Sequence, residues 1–248
     1  MEKFDAKTEA HFLNKISQQY NPSDEPQTQA MRALTIRTFD PYLKGGIALE
    51  LGCSDGYMTE LIANRVEESH VVDISDNFLD AAKQRGIPNV KFFKALFEEY
   101  KSEVKYDYVF ATYILEHVYE VQPVLNMVKS VLKPGGLFFA LVPNARALSR
   151  QFALHMGLYQ DLKELTENDK RHGHRRVYDR AYMNRDMEDA GFEIIHQGGI
   201  MLKILADFQM DKLIKDGFFT EKHLDGLYKL GMEYPDLCGS LFTICRVK

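Results

Sequence analysis

The sequence predicts an α/β protein with a doubly wound, mostly parallel sheet and helices on both faces. Three observations carry that prediction. Short β-branched or aromatic runs near residues 47–51, 70–73, 90–93, 106–111 and 137–142 alternate with helical segments, the pattern of parallel strands joined by crossover helices. The first run enters a glycine-rich turn, Gly52-Cys53-Ser54-Asp55-Gly56, where glycine permits backbone angles and close approaches that other residues resist. A length of 248 residues suits one substantial core, so one domain with insertions is expected over 1–248.

The elements follow in order. From Lys7 to Gln19, Phe12, Leu13 and Ile16 fall at helical spacing until Asn21-Pro22-Ser23 breaks the pattern. A second helix is expected from near Ser23, with Pro26 in its first turn, to Pro41. Together they form an N-terminal helical lid over 1–44, ahead of a core over 45–143. Regular alternation stops after Pro143, and residues 144–178 read as an insertion on the substrate side, ending in the basic run Arg171 to Tyr178. Asp179 caps a helix to Ala190, Gly191 ends it, and Phe192–His196 reads as a strand. Residues 200–237 are expected to form a helical insertion, with apolar clusters at Met201–Met210 and at Leu224, Leu227 and Leu230. Ser240–Val247 alternates as a last strand, so 179–248 completes the sheet. In open sheets of this kind ligands sit beyond the carboxyl ends of the strands, where the strand order reverses. Gly52, Asp73, Leu96 and Thr112 should converge there.

Composition narrows the function. Lys plus Arg total 31 against 36 for Asp plus Glu, a net charge of −5 that favours neither nucleic acid nor an anionic membrane. The three cysteines, Cys53, Cys238 and Cys245, are too few and too scattered for a disulfide framework or a zinc site. No metal site is expected. A charged N-terminus, and no run near the roughly 18 apolar residues of a bilayer span, point to a cytoplasmic protein. The number of subunits is left open.

Around the glycine-rich turn the charge is negative. Glu50 and Asp55 would repel a pyrophosphate, and the G-x-x-x-G spacing from Gly52 to Gly56 is not the dinucleotide fingerprint. A cofactor carrying an amino group and a sulfonium fits better. The run Ala48 to Thr59 resembles motif I of the class I S-adenosylmethionine-dependent methyltransferases, and three later segments resemble that family in the same order. They are Val71-Val72-Asp73-Ile74-Ser75, then Tyr106 to Thr112 with Ile114-Leu115-Glu116-His117-Val118, then Val131 to Ala140.

The resemblance implies a seven-stranded Rossmann-like sheet, with S-adenosylmethionine as cofactor and S-adenosylhomocysteine as product. It places Gly52, Cys53, Asp55 and Gly56 in the turn under the cofactor and Glu50 near its amino group. Asp73 would accept from the ribose hydroxyls, with Ile74 beside it; its rival role is an N-cap for the next helix, a job that Ser75 or Asp76 fits better. Ala111 and Thr112 would offer backbone to the methionine portion, and Tyr20 from the lid would close over it or serve packing alone. The chain departs from the family at the third strand, where Leu96-Phe97 stands in place of an acidic residue for the adenine amine.

Methyl transfer from a sulfonium is an in-line displacement in which the protein mainly aligns groups and excludes water. His117, after the fourth strand, is a candidate base or a packing histidine. Within the basic run, His174, Arg175 and Arg176, joined by Tyr178, suit a carboxylate or phosphate on the acceptor, or form a solvated face. The expected activity is methylation of oxygen or nitrogen on a small molecule or peptide, with an anionic carboxylate acceptor as the sharper form. The competing readings are an RNA methyltransferase, a SAM-binding regulatory protein without catalysis, and a nicotinamide-dependent oxidoreductase.

Overall fold

The computed structural model describes residues 4–19 and 25–248, so Tyr20 and Ser23 lie outside the described residues. Seven strands form one sheet: β1 (Ile47–Leu51), β2 (Glu68–Asp73), β3 (Val90–Lys94), β4 (Tyr106–Thr112), β5 (Leu132–Pro143), β6 (Phe192–Leu202) and β7 (Cys238–Val247). Their order is β3-β2-β1-β4-β5-β7-β6. Strands β1 to β5 run parallel, while β7 is antiparallel to both β5 and β6. The order reverses between β1 and β4, so the carboxyl ends of those strands open a crevice.

Ten helices accompany the sheet among the described residues: α1 (Ala6–Gln19), α2 (Pro26–Phe39), α3 (Tyr57–Ala63), α4 (Asp76–Gln84), α5 (Val121–Val131), α6 (Leu148–His155), α7 (Glu167–Arg171), α8 (Arg180–Asp189), α9 (Asp207–Lys215) and α10 (Glu221–Glu233). None is long and apolar enough to cross a membrane. The central strands are apolar on both faces, and strand periodicity divides their side chains between two cores. Leu49, Leu51, Val109 and Ala111 join Leu125 and Val128 of α5 and Met183 of α8. Ala48, Phe110, Phe139 and Leu141 meet Met31 and Phe39 of α2 and Ile62 of α3 on the other side.

Several ends are fixed by the residues that the sequence singles out. Asp179 accepts from the Tyr182 amide at 2.8 Å to start α8, and Gly191 follows the helix at φ +81°. Pro26 opens α2, where its missing N–H costs nothing. Two boundaries differ most from expectation. β5 begins at Leu132 because Leu132 already pairs with Tyr106 of β4. The expectation of helix from residue 200 is corrected: β6 continues to Leu202, held by antiparallel pairing with β7. Gly199 permits this pairing, since a Cβ there would sit 2.2 Å from the Pro235 carbonyl. Helix is confined to α9 and α10, and Ile204 and Phe208, expected in an apolar cluster, are exposed.

Candidate functional site

A cavity of about 1270 Å³ lies beyond the carboxyl ends of β1 and β4. Leu13 and Ile16 of α1, Met31 and Arg32 of α2, and His172 and His174 of the 144–178 insertion complete its wall. The glycine-rich turn forms its floor. Gly52 has φ +73°, and a Cβ there would meet Ile114 Cδ1 at 2.4 Å and Phe97 Cζ at 3.7 Å, both on cavity-lining residues. Ser54 also has positive φ, +47°, which a non-glycine residue adopts only where its surroundings compel it. Gly56, at φ +76°, serves packing: a Cβ there would press on Ala82 Cα of α4 at 2.7 Å.

Asp73 ends β2 beside this turn. One carboxylate oxygen accepts from the Cys53 amide at 3.1 Å and the other from the Ser75 amide at 2.8 Å, which pins the turn and leaves lone pairs for a diol. Burial raises its pKa, and these hydrogen bonds oppose the shift. Ser75 caps α4, so the capping role that was the rival reading of Asp73 falls to Ser75.

Glu50, the penultimate residue of β1, is 1% exposed, and neither of its oxygens has a hydrogen-bond partner among the described residues. Burial pushes its pKa up to about 8, with Thr59 and Arg32 opposing. An unpartnered buried carboxylate on a cavity wall is a receptor for a donor from a ligand. Asp55 is already engaged: it pairs with Arg32 at 2.9 Å and Arg85 at 3.4 Å and accepts from the Tyr57 amide at 3.2 Å at the start of α3. A bare glycine in the floor, a carboxylate with free lone pairs and a second one lacking a donor fit S-adenosylmethionine's uncharged ribose and charged amino group. Cys53, Ile74, Phe97 and Thr112 also line the cavity. Leu96 and Ala111 are buried in the core and do not line it.

A second polar group lines the same cavity. Glu116 and His117 lie in the turn after β4, and His174 reaches them from the insertion. The two imidazole rings meet edge to face with centroids 4.7 Å apart, and Glu116 Oε1 is 3.9 Å from His117 Nε2. His174 Nδ1 lies 3.1 Å from Asp169. Glu116 is 1% exposed with both oxygens unpartnered among the described residues, and burial pushes its pKa up to about 7. Burial, then His174, lowers the pKa of His117 and keeps it neutral.

Arg175, Arg176 and Tyr178 are turned to structural contacts, which corrects their reading as acceptor-site residues. Arg175 pairs with Glu9 of α1 at 2.8 Å and lies over the Phe12 ring. Arg176 donates to the Leu115, Val118 and Tyr119 carbonyls at 2.6 to 2.8 Å, stapling the turn that carries His117. Tyr178 is fully buried and donates to Asp186 at 3.0 Å. None of the three lines the cavity. Sequence reasoning missed Glu116, Asp169 and Lys203. Lys203 lines the cavity, is ion-paired with Asp207, and has its pKa lowered by burial to about 8. The signal available for Glu116 was its place next to His117.

Comparison with known proteins bears on this geometry. Residues 24–197 match the family described as a methyltransferase domain. A ubiquinone biosynthesis O-methyltransferase of Acinetobacter baylyi is 25% identical over 164 residues, covering 64% of this chain and 68% of that one. A trans-aconitate 2-methyltransferase of Agrobacterium fabrum is 28% identical over 142 residues, covering 56% and 54%. Among solved structures, the N-methyltransferase NodS from Bradyrhizobium japonicum with S-adenosyl-L-homocysteine superposes with TM-score 0.60 at 12% identity, covering 96% and 98%. That likeness shows the fold.

Proposed function

The chain belongs to the methyltransferase domain family, and from that premise we propose that it transfers a methyl group from S-adenosylmethionine to a hydroxyl oxygen of a small molecule. The observation that carries this reading is the presence, in one cavity, of both the Gly52–Asp73–Glu50 cradle and the Glu116–His117–His174 group. When bound, S-adenosylmethionine supplies an activated methyl group on a positively charged sulfur. Asp73 would hold the ribose hydroxyls, Glu50 would accept from the amino group, and Gly52 leaves room for the bound molecule. Phe97 and Ile74 would offer apolar contact to the adenine, in keeping with the missing acidic residue after β3.

The acceptor oxygen forms its bond to the methyl carbon as the carbon–sulfur bond breaks, and the electron pair of that bond stays on sulfur. Its proton must leave before or during attack. Glu116, His117 and His174 would assist the departure of that proton, whereas a carboxylate acceptor would need no such group. The arginines that motivated an anionic acceptor are occupied elsewhere. The names of the two curated relatives favour a small acceptor, and the net charge of −5 weighs against RNA.

A methyl-transfer assay with labelled S-adenosylmethionine against hydroxyl, carboxyl and amine acceptors tests the reading. Turnover is expected with a hydroxyl compound and is expected to fall at least about tenfold in His174→Ala, a loss of about 1.4 kcal/mol in transition-state stabilisation. Turnover confined to amines, or untouched by His174→Ala, would contradict it.

A further inference from the structure

We propose that Glu116, His117 and His174 hold one divalent transition-metal ion of the zinc class on the acceptor side of the cavity. One carboxylate and two imidazoles form a donor set suited to zinc, and three protein ligands leave a position for water or substrate. Each of the three residues offers a ligand atom within 4.8 Å of the others. A tetrahedral ion with bonds of about 2.0–2.1 Å needs separations near ~3.4 Å. Side-chain rotations closing the widest separation by up to about 1.4 Å would complete such a site.

Two independent features point to a cation. Glu116 keeps both carboxylate oxygens unpartnered among the described residues although it is 1% exposed, a costly arrangement that a bound ion would satisfy. The second is the support behind His174. Asp169 holds His174 by Nδ1 at 3.1 Å, leaving Nε2 available. The Thr166 amide and hydroxyl each donate to Asp169 at 2.9 Å, fixing its carboxylate. A histidine backed in this way by a carboxylate is the usual arrangement at metal sites, where it sets the tautomer and the ring plane.

The catalytic role of the ion rests on the proposed hydroxyl methylation. A cation at this position lowers the pKa of a bound hydroxyl. The hydroxyl proton passes to solvent, the oxygen attacks the methyl carbon, the carbon–sulfur bond breaks, and the metal is neither oxidised nor reduced.

Binding is read without turnover. Chelator-stripped full-length protein is titrated with Zn²⁺ by calorimetry and with Co²⁺ by visible absorption, and S-adenosylmethionine binding is measured separately on the same sample. One ion per chain is expected, with Co²⁺ bands of a nitrogen- and oxygen-ligated centre. His174→Ala should weaken binding more than about tenfold and Asp169→Asn by about 10–100-fold, while affinity for S-adenosylmethionine stays within about twofold. If His174→Ala does not fold, His117→Gln carries the same expectation. Absence of stoichiometric uptake, or uptake equal in the wild type and the folded variant, overturns the site. If the ion binds while S-adenosylmethionine does not, the metal site stands and the proposed function fails; the reverse result removes the metal alone.

Discussion

Gly52 and Gly56 share a turn and a left-handed backbone, yet their neighbours assign them different work. Gly52→Ala costs about 1–2 kcal/mol from its positive φ and pushes on Ile114 inside the cavity, so S-adenosylmethionine affinity should drop with a modest loss of Tm. Gly56→Ala presses on the backbone of α4, which cannot yield as a side-chain tip can. Its thermal melt should fall further than that of Gly52→Ala. Equal effects in melting and calorimetry would contradict the division of roles. Asp73→Ala removes the acceptor for two turn amides and for the ribose, and calorimetry should show at least about tenfold weaker cofactor binding, about 1.4 kcal/mol. Glu50 makes a prediction about pH. Its folded pKa, about 8, is raised above its ordinary value of 4.5. The stability linked to its protonation is therefore complete below about 4.5 and is lost as pH rises through about 8. Without ligand, the Tm of Glu50→Gln relative to wild type should rise between about pH 5 and pH 8; a flat or falling difference would refute the assignment.

The elements around the cavity are tied together by contacts remote in sequence. Arg175, after α7, reaches Glu9 of α1, and this link joins the N-terminal helices to the 144–178 insertion over the cavity. Arg175→Ala should therefore speed S-adenosylmethionine release several-fold and expose α1 to limited proteolysis. Unchanged release in stopped-flow measurements would show that α1 does not close the site. Such contacts also explain what the sequence could not disclose. The chemical types in Arg171–Tyr178 suggest an anion site, but nothing in the run shows that Arg175 and Arg176 are consumed by Glu9 and by the carbonyls after β4. The segment after Gly199 fails differently: Ile200-Met201-Leu202 is an apolar run compatible with helix or strand, and pairing with β7 decides it. Strands β1, β2 and β4 were legible because parallel strands buried on both faces read as short continuous apolar runs.

At the scale of the molecule, reversal of strand order between β1 and β4 places one cavity where the motifs after β1, β2 and β4 meet. The cofactor side of that cavity was largely readable, since Gly52, Asp73 and Glu50 act through local turns and strand ends. Its acceptor side was only half readable. His117 and His174 were visible as residues, but the burial of Glu116 and the support from Asp169 arise only when the insertion folds back on the turn after β4. The central claim is that this cavity takes S-adenosylmethionine, and calorimetry on ligand-stripped protein tests it most directly. One molecule of S-adenosylmethionine or S-adenosylhomocysteine should bind per chain, with affinity reduced at least about tenfold in Asp73→Ala. No heat from either compound with the folded wild-type protein, or binding indifferent to Asp73, would contradict it.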